Sequence, residues 1–206
     1  MPTFTTLVSF ALATALLVAM PGPGMLFLLA RGIGRGRRDA LAAAVGVELA
    51  SLVFVAATAL GLTAVVASSA TALSVVRYAG AAYLVYLAAR AFRSRDALAV
   101  DAGTPAPAGA RRGLWDGFVV GVTNPKVAVF FLAFFPQFIH AGAGPIPVQV
   151  GVLGAVFVVI GLAGDVLVAA TAGSVGRWLR HRPRVAATHG PVTGVIYLLL
   201  GGAAAA

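Results

Sequence analysis

Hydrophobic positions fall into six long runs, at about 7–29, 40–67, 75–91, 115–139, 148–175 and 186–206. Short clusters of arginine, proline, glycine and aspartate separate them. A membrane-crossing helix takes about 20 apolar residues, so each run reads as one span. The first run lacks a basic N-terminal stretch and continues past the length of a cleaved leader. It therefore reads as a span rather than a signal peptide. The one long polar stretch, 93–113, reads as a linker.

Arginine placement gives the orientation. With six spans, thirteen of the fifteen cations lie in the loops after the first, third and fifth runs. Arg77 lies on the opposite side, and Lys126 lies within the fourth run. Such a bias puts the three arginine-bearing loops in the cytoplasm and both termini outside. Asp39, at the head of the second run, is expected to cap it and to favour its positive end.

The linker divides the chain into halves of three runs, about 1–92 and 114–206. An odd number of spans inverts the second half. Each half opens with a proline-broken run: Pro21-Gly22-Pro23 in one, Asn124-Pro125 in the other. Broken helices at matching positions of inverted repeats mark transporters. The expected fold is thus an all-α polytopic membrane protein, one transmembrane domain over 1–206, with six helices as two inverted three-helix repeats.

Composition agrees with that class. The 206 residues are 60% hydrophobic and 10% charged, with no cysteine and a mean hydropathy of +0.98. Soluble domains carry about 25% charged residues. Absence of cysteine removes thiol catalysis and thiolate metal sites. The formal charge of +9 is gathered in loops and forms no surface that would follow a nucleic acid. No phosphate-binding loop, zinc-binding His pair or nucleophile elbow occurs, so an enzyme is not expected, and neither is a bound cofactor or metal.

The candidate chemistry is sparse. Pro21 and Pro23 lack amide protons and should free carbonyls around residues 17–19. Gly22 and Gly24 permit unwinding there. Lys126, about ten residues into its run, should face a cavity or a carboxylate, or snorkel to the surface. Glu48 and Asp165 are the acids furthest from any loop. They occupy counterpart runs and could exchange a proton or hold an ammonium. Gly46, Gly61, Gly80, Gly154, Gly161 and Gly164 are expected to permit close helix packing, within one protomer or between copies in a homo-oligomer. Phe130, Phe131, Phe134, Phe135 and Phe138 read as core or lipid contacts. Pro136-Gln137-Phe138 reads as a kink or gate.

Taken in order, these residues resemble the LysE/RhtB family of bacterial amino-acid exporters. The likeness runs from Pro21-Gly22-Pro23 through Gly32, Gly36 and Gly46, then Gly80-Ala-Ala-Tyr83-Leu-Val-Tyr86. It continues with Gly117-Phe118, Asn124-Pro125-Lys126, Phe130-Phe131 and Pro136-Gln137-Phe138, and ends on Gly194 to Gly201. The resemblance implies six spans in inverted repeats and export of amino acids or their derivatives from the cytoplasm across the inner membrane. It implies the proton motive force, or another ion gradient, as the energy source. Its motifs map onto Pro21, Gly22, Pro23, Asn124, Pro125 and Lys126. In the combined reading a substrate carboxylate meets Lys126 and backbone amides near Pro125, and its ammonium meets Glu48 or Asp165. The alternative is an ion, metal or other small-metabolite carrier or channel of the same architecture.

Overall fold

The computed structural model describes residues 1–68, 109–140 and 142–180. The third and sixth expected spans, most of the linker, and Arg77 and Gly80 lie outside the described residues. Those described are helical. In order they form α1 (Phe4–Ala19), α2 (Pro23–Gly34), α3 (Arg37–Ser68), α4 (Ala110–Val122), α5 (Pro125–Val129) and α6 (Ile146–Arg180). A π turn, Phe130–Phe134, and a 3-10 turn, Phe135–Phe138, prolong α5.

Two helices are long and apolar enough to cross a membrane unaided, over Arg37–Leu62 and Ile146–Ser174. Two further spans arise if each bent pair counts as one: α1 with α2, bent by 52°, and α4 with α5 and its turns, bent by 47°. Both bends fall where proline removes a ladder hydrogen bond. At the first, Pro21 deprives Leu17 of its partner four residues on, and the chain is extended at Gly22 before restarting on Pro23. At the second, the Asn124 side chain accepts from the Lys126 amide at 3.0 Å and caps α5, with Pro125 in its first turn. α4 begins at Ala110, inside the stretch read as linker, because Arg111 and Arg112 are good helix formers.

α3 packs most extensively against α4, then against α6, while α1 and α2 also lie on α6. Glycines make the α3–α4 seam. A β-carbon at Gly46 would strike the Leu114 carbonyl, and one at Gly117 would strike the Ala43 carbonyl. One at Gly121 would lie 2.6 Å from the Ala50 β-carbon. The two backbones are therefore in direct contact. Gly154 and Gly164 likewise admit Val55 and Val18. At Gly61 a β-carbon meets nothing within 4 Å among the described residues.

The aromatic core gathers on the broken second pair. Phe130, Phe131, Phe134 and Phe135 are all buried, packed with Phe10 of α1 and Phe157 of α6. A regular helix would spread four such residues over more than one face. The π and 3-10 turns change the residues per turn, and all four reach the core. Pro136 stands at the start of the 3-10 turn, the kink expected there.

A second polar feature lies at one end. Arg31, in the last turn of α2, is 6% exposed and is not a loop residue. Its Nε donates to Asp39 Oδ2 at 2.6 Å, and a second guanidinium nitrogen donates to Asp39 Oδ1 at 3.2 Å. The third nitrogen donates to Asp116 of α4 at 2.7 Å. Asp39 lies in the first turn of α3, at its positive end as expected, and also pairs with Arg31. Arg31 and Asp116 are 85 positions apart, so their contact brings the end of α2 beside the first turns of α4. At the far end, the Met1 ammonium donates to the Ala143 carbonyl. There the buried Gln149 holds the 140–144 turn through His140 and Gly144.

Candidate functional site

The two proline breaks face one another. A β-carbon on Gly22 would lie 3.4 Å from Lys126 Cδ, and one on Gly24 would lie 3.2 Å from Asn124 Nδ2. The small residues of the first break thus leave room for the polar side chains of the second. Lys126 is 9% exposed. Its Nζ donates to the Leu17 and Met20 carbonyls, both at 2.9 Å. The Leu17 oxygen is the one that Pro21 strips of its helical donor. Lys126 therefore neither snorkels nor pairs with an acid: among the described residues no carboxylate forms an ion pair with it.

Beside this junction lies a cavity of about 40 Å³. Its wall includes Lys126, Asn124, Glu48 and Asp165, joined by Ser51, Gly24, Met25, Phe157 and Gly161. At about 10–15 Å³ for one water molecule, it has room for a few waters, and it is partly open rather than sealed. Glu48 projects from α3 and is 7% exposed, and its Oε2 has no hydrogen-bond partner among the described residues. An unpartnered buried carboxylate oxygen is costly. Asp165 enters from α6 and is half-buried. α3 and α6 thus deliver one acid each to the same space, and the second break delivers the cation.

Of the eight residues singled out in the sequence, Glu48, Asn124, Lys126 and Asp165 line the cavity. Pro21, Gly22, Pro23 and Pro125 do not; they shape the breaks. Pro23 and Pro125 are exposed. The amide most directly following Pro125, that of Lys126, is taken by Asn124. The uncapped amides lie instead at the start of α2, where Gly22 offers no side chain and Gly24 and Met25 line the cavity.

The Leu17 carbonyl falls within the 17–19 stretch expected to be freed, whereas Ser51 and the Met20 carbonyl escaped the sequence reading. Ser51 sits one helical turn beyond Glu48, a spacing that could have flagged it. Gly161 was read as a packing glycine, but what it packs against is the Glu48 carboxylate itself. A larger groove of about 210 Å³ runs between α3 and the turns after α5. Phe54, Leu62, Phe131 and Leu132 are among the residues that wall it, and it offers no charged group.

The family model of the LysE type translocator matches residues 15–206. The chain belongs to the LysE family. The match takes in both breaks and every charged residue of the cavity, so the LysE sequence pattern and the polar site coincide. LysE membership and the apolar helices together make this a multi-pass membrane protein. An uncharacterised membrane protein of Vibrio cholerae is 32% identical over 170 residues, which cover 82% of each chain. A leucine efflux protein of Salmonella choleraesuis is 30% identical over 66% of this chain and 64% of its own. A homoserine/homoserine lactone efflux protein of Salmonella typhimurium is 29% identical over 97% of this chain and 95% of its own. No solved structure matches the chain.

Proposed function

We propose that this LysE protein is a secondary exporter of amino acids or amino-acid derivatives, carrying them out of a bacterial cytoplasm across the inner membrane. The observation that carries the reading is the junction of the two breaks. It brings one ammonium and two carboxylates, from three separate elements, to one small, partly open cavity. A zwitterion needs both signs of charge within a few ångströms, and that is what the cavity offers. The efflux proteins named above support the substrate class.

The roles follow from the hydrogen bonds. Lys126 uses two N–H groups on Leu17 and Met20; the third is left for a substrate carboxylate. The uncapped start of α2 adds amides and the positive end of a helix dipole. The free oxygen of Glu48 receives the substrate ammonium, with Asp165 across the cavity. One of these acids carries a proton in exchange for substrate. Six spans form two inverted three-helix repeats, and alternating access opens the cavity to each side in turn. Contact of Arg31 with Asp116 supports a common side for the arginine loops. That side is the cytoplasm by charge bias, with both termini outside.

The test is efflux from proteoliposomes preloaded with a panel of labelled amino acids, with and without a pH gradient. Gradient-stimulated efflux of a subset is expected. Lys126→Ala or Lys126→Met should abolish it while leaving insertion intact. Normal efflux in either variant would remove Lys126 from the site. Ion flux independent of any amino acid would instead favour a carrier or channel for ions.

A further inference from the structure

The Leu17 and Met20 carbonyls are an unusual pair. Leu17 lies in the last turn of α1, and Met20 is its C-terminal cap. Their oxygens belong to the negative end of the helix dipole. Both point to one spot, buried and 2.9 Å from each. Carbonyls at the end of a broken membrane helix, beside acidic side chains, are the ligand set that binds alkali cations in transporters with interrupted helices. Hard cations take oxygen donors, and here Leu17 walls the same cavity as Glu48 and Asp165, with the Met20 carbonyl beside it on the Lys126 ammonium. The spot is held by a positive charge already, the Lys126 ammonium. It is held by neutral oxygens alone, as an ion would be, without an acid in contact among the described residues.

We propose that Lys126 is a tethered monovalent cation, seated at a carbonyl site that would otherwise take a sodium-sized ion. The consequence for coupling rests on the cavity being the transport path; the cation site itself does not. With the ammonium in place, the protein has no vacancy for Na⁺ or K⁺ at the break and transports without either. Without the ammonium, the Leu17 and Met20 oxygens lose their charged donor, Leu17 keeping only the Met20 amide, and the cavity loses its internal cation. A free alkali ion then gains a site.

The experiment is thermal unfolding of the purified full chain in detergent, in NaCl, KCl or choline chloride at one ionic strength. Wild-type protein is expected to melt at the same temperature in all three. Lys126→Ala is expected to melt lower in choline and to recover with Na⁺ along a saturating curve. At ten times the dissociation constant the recovery is about 3–6 °C. Lys126→Gln, which keeps a donor and much of the bulk, serves where Lys126→Ala does not fold. A saturable, Na⁺-specific stabilisation of wild type would overturn the proposal, and so would indifference of both variants to Na⁺. If neither variant can be purified, wild-type efflux into choline medium decides: an undiminished rate supports the tethered cation, and loss without Na⁺ overturns it. A chain that moves no amino acid at all refutes the exporter reading and leaves the melting comparison intact.

Discussion

Gly161 lies directly against the Glu48 carboxylate: a β-carbon at that position would stand 2.5 Å from Oε1 and 3.1 Å from Oε2. No side chain larger than hydrogen is compatible with the acid where it now sits. Gly161→Ala should therefore displace Glu48 and lower efflux at least about tenfold, the worth of roughly 1.4 kcal/mol. Gly151→Ala, on the same helix with nothing within 4 Å, should leave efflux unchanged. Initial efflux rates of the two variants, at matched insertion, check the pair. Equal rates would show that Glu48 is tolerant of position.

Glu48→Gln keeps the shape of the side chain and removes its ability to carry a proton. If Glu48 is the coupling acid, the variant loses stimulation by a pH gradient but still exchanges labelled for unlabelled substrate. Asp165→Asn should then keep the stimulation. Exchange and net efflux, measured side by side, separate coupling from binding. The opposite pattern assigns the proton to Asp165.

Breaking the Arg31 cluster should cost stability rather than specificity. Arg31→Leu leaves Asp39, 5% exposed, without its cation. Loss of one partner of a buried pair costs about 3–5 kcal/mol. Asp116→Asn should cost less, because that side chain is 34% exposed and water can replace the arginine. Arg31→Lys should not restore the melting temperature, since one ammonium cannot reproduce the two-pronged contact with Asp39. Thermal melts in detergent would rank the three variants.

Glycines in the α3–α4 seam should be far less replaceable than their number suggests. Gly117→Val forces a side chain into the Ala43 backbone, and the helices must separate. Expression of folded protein should fall sharply. Gly61→Ala should be neutral by the same assay, having no neighbour within 4 Å among the described residues.

Much of this arrangement was legible in the sequence where the cause is local. Proline at 21 and 125 dictates a break wherever the chain goes, because the missing N–H belongs to the residue itself. Removal of Lys126 and Glu48 from water followed from their place within apolar runs, while their meeting with Asp165 at one cavity did not. What answers the freed Leu17 carbonyl was not legible. Its donor, Lys126, is 109 positions away, and only the packing of the two breaks brings them together. Arg31 misled for the same reason: nothing nearby in sequence says that Asp116 waits in the first turns of α4. The phenylalanines after Lys126 were legible as core residues, but the π turn that brings them to one side was not, since a regular helical period cannot anticipate it.

The seam between α3 and α4 bears on what can move. α3 stands before the linker and α4 after it, so the contact of their backbones ties the front of the chain to the back. Two rods locked at the level of carbonyl and glycine cannot slide or splay without losing the lock. They behave as a fixed beam. If the cavity opens during transport, the movement falls to the elements beside the two breaks: α1, which ends at Ala19, and α5 with its turns, which starts at Pro125. The two arms touch through Lys126, one ammonium on two carbonyls, and swinging either one means unfastening that clasp.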